Sequence, residues 1–313
     1  VKGIQIIALI LLSFLLTINK EEALPQNPIL SIYRPSYILV ESGDADSLQS
    51  AINAVAENGV VQINGNLPTF ISKSIVIKRD NVWLKGDGGL LQLKPQANEP
   101  VVILGHTEEH PAQTSGIRLS GFFIDGNREC QQSEFSQTSP YLRNNGVSVR
   151  NVSGAEIFDL TVHSCASGGI VLEKGCEKAF VHNIETYAHE WDGVAACETT
   201  KSKFYHIHSH HNKAAFSFDW FFNDNFIGKS ITNDCHMSVF IRNSNRNYFD
   251  IYSIRMSKFP VLVAEYGNDP KTAANFNYFK IETLDCAAKS IILDVSCNDN
   301  VIMEDGKFVY GFF

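Results

Sequence analysis

From residue 146 onward, short apolar runs return at nearly constant intervals. They begin at Gly146, Gly169, Gly193, Ala215, Ser238, Pro260 and Ser290, with five steps of 22 to 24 residues and one of 30. Each segment carries a second apolar run, led in turn by Ile157, Phe180, Phe204, Phe226, Tyr248, Tyr278 and Val301. In the later segments an asparagine precedes that run, at Asn225, Asn247, Asn277 and Asn300. Asparagine tolerates the left-handed backbone of a corner, and its amide can bond the next coil. Short runs with period-two alternation, separated by polar corners, predict a solenoid whose coils pair with their neighbours. The pattern predicts about ten coils over residues 59–310, arranged as three short parallel sheets. Leucine-rich repeats lack a match here, helical repeats would need longer pieces, and a β-sandwich is the rival architecture.

The alternation also sets which side chains face the core. Ile170, Leu172, Val194, Ala196, Phe216, Phe218, Val239, Ile241, Val261 and Val263 are expected to point inward. The outward positions then form two vertical ladders. One runs Ser148, Val171, Ala195, Ser217, Phe240, Leu262; the other runs Arg150, Glu173, Cys197, Asp219, Arg242, Ala264. The second ladder concentrates charge on one sheet face.

Upstream, Asp44 is placed to cap a helix over residues 45–57, with Leu48, Ile52 and Val55 on one face. Such a helix is a natural lid for the open apolar end of a solenoid. Before it, Lys2 and the apolar run from Ile4 to Leu16 have the length of a signal-peptide core rather than a membrane span. The expected organisation is a signal peptide at 1–24, a linker at 25–42 and the solenoid at 43–313, in a secreted or extracellular protein, with the periplasm as an alternative. An uncleaved anchor is the alternative reading of the N-terminus.

A hydrophobic content of 44% can furnish one long core, and a net charge of -8 argues against nucleic acid or an anionic membrane as the main partner. A poly-anionic substrate would need a local basic groove. There are seven cysteines, an odd number. Cys165 and Cys235 lie three coils apart and Cys176 and Cys297 five, too far to bridge at about 4.8 Å per coil. Cys130 with Cys165 is the pairing worth testing.

The stretch from Gly43 to Gly88 reads as a helix, a Gly59-Val60-Val61 strand, then a strand ending in a Gly86-Asp87-Gly88 turn. Together with the repeats, it resembles the pectate-lyase superfamily over roughly residues 40–310. The resemblance implies an all-β, single-stranded right-handed parallel β-helix with an N-terminal capping helix, acting on a polysaccharide. The Ile124-Asp125-Gly126-Asn127 run and the polar insertion after it are similar to mannuronan epimerases, so Asp125 carries over. The next coil departs from that family, because the family Asp falls on Val171 and the family His on Glu173.

Three functions follow as expectations. A lyase or epimerase on a uronate polysaccharide such as pectin or alginate needs a base, a proton donor and a cation. His189, Tyr187 and His211 would serve the proton steps, with Arg150, Arg242, Asp125, His210 and Trp220 binding substrate. An inverting glycoside hydrolase would use Glu173 and Asp219 instead, two strands apart. A non-catalytic carbohydrate-binding surface protein is the third. Tyr187, His189, Glu190 and Asp192 precede one strand; His206, His208, His210 and His211 precede the next, and alternation puts the first three of these histidines on one side. Metal binding is a candidate role there, and the residues by themselves imply no cofactor. The Asn223-Asp224-Asn225 and Asn298-Asp299-Asn300 triplets read first as turns, with calcium as the other candidate role. The insertion at 128–145, with Tyr141 and Arg143, is expected to form one wall of a cleft.

Overall fold

The computed structural model describes residues 36–41, 43–65, 68–265, 269–287, 291–294 and 296–310. The expected signal peptide and all but the end of the expected linker lie outside the described residues. Among the described residues, a parallel sheet of 9 strands and a larger sheet of 13 run the length of the solenoid. The larger one closes with a single antiparallel pair, Val301–Glu304 with Lys307–Tyr310.

The third expected sheet is narrow. It consists of Val152–Ser153 paired with Thr114–Ser115, continued by single bridges from Ser153 through Glu177 and Thr200 to Asn223. In four consecutive coils the larger sheet is creased, where Asp159, Asn183, His206 and Lys229 take φ of 53°, 54°, 52° and 47°. A left-handed residue inside a strand bends it. Each of these four strands therefore has two legs that meet at a one-residue corner.

All ten residues expected inside are buried. Phe204, Phe216, Phe218, Phe222, Phe249 and Phe279 fill the middle coils, with Phe218 and Phe222 stacked at 4.0 Å and Phe249 and Phe279 at 4.7 Å. The corner asparagines form the expected ladder. Asn225 Nδ2 donates to Asn247 Oδ1 at 3.1 Å, Asn247 to Asn277 at 2.9 Å, and Asn277 to Asn300 at 3.1 Å. The backbone N–H of each upper residue donates to the same oxygen, so a buried corner leaves few polar groups unpaired.

The capping helix is Ala45–Ala54, and Asp44 accepts from the N–H groups of Asp46 and Ser47. It stops three residues before the apolar periodicity suggests. Val55 is already extended, and the Arg79 guanidinium takes up the carbonyls of Asn53 and Val55. Leu48, Ala51, Ile52 and Val55 join the core and close the open end.

The seven cysteines are free thiols. Cys130 is exposed on a short 3₁₀ turn, whereas Cys165 is buried and faces the carbonyl of His163 at 3.5 Å. The expected pairing of these two does not form, because one side chain points outward and the other into the core.

Candidate active site

The site is built on the 9-stranded sheet. Consecutive strands Val147–Arg150, Ile170–Glu173, Asp192–Cys197, Ala214–Asp219 and Met237–Arg242 pair in parallel, aligning Arg150 with Glu173 and Cys197 with Asp219. Above them lies an open groove of about 480 Å³. Val171, Ala195 and Ser217 form its floor, and small side chains there leave room for a ligand ring. Glu173, Asp219 and Arg242 occupy one rim. Asp192 lies toward the other, beside Trp191, Glu134 and Arg143. The insertion contributes the last two, so it walls the groove through Arg143 as expected, whereas Tyr141 lies against the Arg150 guanidinium instead, and Trp220 flanks the opposite end.

The charged groups are strongly paired. Arg242 Nε donates to both Asp219 oxygens, at 2.9 and 3.1 Å, and Nη2 closes a second arm on Oδ2. Arg143 faces Glu134 at 3.5 Å, and Trp191 Nε1 donates to the same carboxylate at 2.6 Å. The Lys213 ammonium sits 3.6 Å from the centre of the Trp191 ring, fixing the ring at the groove edge.

Asp192 differs from its neighbours. Burial, with a further push from Asp219, raises its carboxyl to about 7, against the opposing pull of Arg143 and Lys213. Two carboxylates in one cleft, one protonated near neutrality and one clamped by a cation, are the makings of an acid–base pair. Strict alternation would aim Asp192 inward, together with Val194 and Ala196. Gly193 and Val194 are instead both buried, which breaks the alternation and turns Asp192 to the groove. Only glycine fits at 193, since a Cβ there would lie 2.0 Å from Ser209 Oγ. The glycine opening this coil was the available signal.

Arg150 requires a correction. Its register is outward as expected, yet the residue is fully buried. The chain after Gly105 folds across it, so Nη1 donates to the carbonyls of His106 and Glu108, both at 2.8 Å, while Nε donates to Glu173 at 2.8 Å. It anchors Glu173 and cannot reach a substrate carboxylate.

His189 is the second correction. Its ring is buried, with Nδ1 accepting from Cys165 N at 3.1 Å and Nε2 paired with Thr186 Oγ1 at 2.7 Å. Burial, helped by the charges of His163 and Arg128, pushes it down to about 3. It is a structural neutral histidine with both nitrogens occupied. An unfolded chain binds a proton at an ordinary histidine near pH 6.5, whereas this one refuses it until about 3. Stability is therefore expected to fall as pH drops through that window. In urea titrations at pH 7 and pH 4, the His189→Gln variant should lose less stability on acidification than the parent; an equal loss would contradict the assignment.

The remaining expected site residues gather on a different sheet. Asp125, His163, Tyr187, His210 and Asn233 are in register on successive strands of the larger sheet. Tyr187 is stacked between His163 at 5.2 Å and His210 at 4.7 Å. Asp125 receives Gln92 Nε2 at 2.6 Å and the N–H of Asn127 at 2.8 Å, a turn-fixing role. His211 is exposed on the following corner and shares a proton with His210 across 2.8 Å. Tyr187, His210, His211 and Asp125 thus neighbour one another, but they do not line the groove with Glu173 and Asp219.

The two triplets considered for calcium are engaged as turns. Asp224 is bound by Arg246 at 2.6 and 2.9 Å, Asn223 Oδ1 accepts from Asn245 N, and Asn225 and Asn300 belong to the asparagine ladder. Among the described residues, no helix is long and apolar enough to cross a membrane.

No protein-family model matches the chain, and no curated protein matches it. Solved structures do. ORF18 of Geobacillus virus E2 superposes with a TM-score of 0.59 at 13% identity, over 86% of this chain and 61% of that one. The A-module of the Azotobacter vinelandii mannuronan C-5 epimerase AlgE4 gives 0.55 at 14%, over 79% and 75%. The family 28 exopolygalacturonase of Yersinia enterocolitica gives 0.58 at 10%, over 87% and 68%. The chain folds as a parallel β-helix. At these identities the likeness is one of fold, and the β-helix spans less than two thirds of the viral protein.

Proposed function

We propose that this β-helix is a glycoside hydrolase that binds a polysaccharide along the groove of its 9-stranded sheet. The observation that carries the reading is the set of carboxylates around one small-residue floor, with Asp192 raised to about 7 and Glu173 and Asp219 opposite it. Asp192 is the proton donor to the leaving glycosidic oxygen. Glu173, held through one oxygen by the buried Arg150, is the base that activates water. Asp219 and Arg242 form a rigid pair that positions the sugar, and the Asp219 carboxylate adds to the upward shift of Asp192. Asp192 and Glu173 lie at opposite ends of neighbouring strands, and carboxylates set apart in this way suit inversion, which needs room for a water, rather than retention.

Trp191 and Trp220 supply flat apolar faces for pyranose rings. Around the groove, Glu134, Glu173, Asp192 and Asp219 outnumber Arg143 and Arg242, and both guanidiniums face carboxylates. That balance favours a neutral glycan over a uronan at the cleavage point, although two structural relatives are named for uronan chemistry. The test is incubation with pectin, alginate and neutral glucans. The expected products are new reducing ends without the ultraviolet absorbance of unsaturated uronides, and inverted anomers by NMR. Unsaturated products would establish a lyase and refute this reading.

A further inference from the structure

On the outer face of the larger sheet, away from the groove, three metal-ligating side chains converge. Glu185 lies opposite His208 on the next strand, and His210 follows two residues later on the same face. One ligand atom from each of the three lies within 4.8 Å of the others. Glu185 Oε1 is 3.5 Å from His210 Nε2 and 3.9 Å from His208 Nδ1. The first is at the outer limit of a hydrogen bond and the second lies beyond it. They approach the edge of a coordination tetrahedron, which is roughly 3.3 Å for metal–nitrogen bonds of about 2.0–2.1 Å. We infer that Glu185, His208 and His210 form a binding site for a divalent transition-metal ion.

The hydrogen bonds behind the cluster select the ring nitrogens that a metal requires. His208 Nε2 lies 2.5 Å from Asn233 Oδ1. An amide oxygen only accepts, so Nε2 carries the proton and Nδ1 presents its lone pair toward Glu185. The orientation of that amide is fixed in turn, because Asn233 Nδ2 donates to Asp234 Oδ2 at 2.8 Å. Asp234 is itself gripped by Arg255 at 2.7 and 2.6 Å. A chain of four residues thus sets one histidine tautomer, the arrangement that usually backs a metal-bound imidazole.

His210 is prepared in a similar way. Its Nδ1 faces His211 Nδ1 at 2.8 Å, and its ring is stacked on Tyr187. Its Nε2 is buried with no hydrogen-bond partner, directed at the Glu185 carboxylate. A buried ring nitrogen without a partner is costly unless something binds it, and a cation between it and the carboxylate would satisfy both. His206, expected on the same face, sits at the strand crease with φ 52° and is not part of the cluster.

Two imidazoles and one carboxylate suit zinc or its first-row neighbours and disfavour calcium and magnesium, which prefer all-oxygen shells. Three protein ligands leave a fourth position for water or an exogenous ligand, and Glu185 and His208 are exposed enough to admit one. The inference is independent of the hydrolase groove. Calorimetric titration of the full chain with Zn²⁺ is expected to show one saturable site, and Co²⁺ should give the visible absorption of four-coordinate cobalt. Glu185→Gln, His208→Ala and His210→Ala should each abolish that site, with unchanged circular dichroism. Asn233→Ala should weaken it about 10- to 100-fold, the usual cost of losing a ligand's hydrogen-bond partner. His206→Ala should leave it unchanged. Zn²⁺ binding that survives all three ligand variants, that disappears in His206→Ala, or that never saturates would overturn the assignment.

Discussion

Replacing Asp192 by asparagine is expected to lower turnover on a cleaved polysaccharide by about 1,000-fold, within the range for a lost general acid. The amide keeps the shape of the side chain and removes the transferable proton. The same substitution is expected to raise stability at neutral pH. An aspartate that titrates near 7 when folded and near 3.9 when unfolded favours the unfolded state increasingly as pH climbs through that window. Below the window both states are protonated and the variant gains nothing from this source. Activity of the parent should decline above about pH 7 as the donor ionises. Kinetics with a soluble glycan and urea titrations from pH 4 to pH 8 check both halves. A variant with full activity, or one whose stability follows the same pH course as the parent, would remove Asp192 from the mechanism. Glu173→Gln should also suppress hydrolysis strongly, since it leaves the attacking water without a base.

Truncating Phe218 to alanine should destabilise the β-helix by about 3–5 kcal/mol. The ring is fully buried, stacked on Phe222 at 4.0 Å and packed against Phe204, Phe216 and Phe249 at centroid distances of 5.7, 5.9 and 5.9 Å. Coils above and below are tied by parallel backbone ladders, so the walls of the resulting cavity have little freedom to collapse. Because each coil supports the next, the loss should appear as one lowered transition in thermal unfolding rather than a local softening. A variant that melts with the parent would mean that the inward register of this strand is wrong.

The repeat, the inward set and the corner ladder were all legible in the chain, and for one physical reason. Each follows from local periodicity: Phe218 alternates with Ser217 and Asp219, and Asn225, Asn247, Asn277 and Asn300 recur at one corner. Parallel stacking converts such a repeat directly into ladders, so Glu173, Asp219 and Arg242 could be placed on one face from their spacing alone. What lies above a ladder is not periodic. The 106–108 segment that covers Arg150 belongs to an earlier coil, and nothing in the spacing of the later strands announces it. His189 reads as a catalytic base in sequence but lies inside the corner, where Cys165 and Thr186 take both nitrogens. Asp192 reaches the groove only because two consecutive buried residues, Gly193 and Val194, interrupt the alternation. Its proton affinity then depends on burial and on Asp219, a residue 27 positions away in sequence. By itself the sequence determined the coil, its register and the residues each ladder carries, because these depend on period. Only the tertiary structure decided which of those residues meet solvent, which are sealed, and that the candidate chemistry divides between two sheets, because burial and electrostatics arise from segments that no repeat relates.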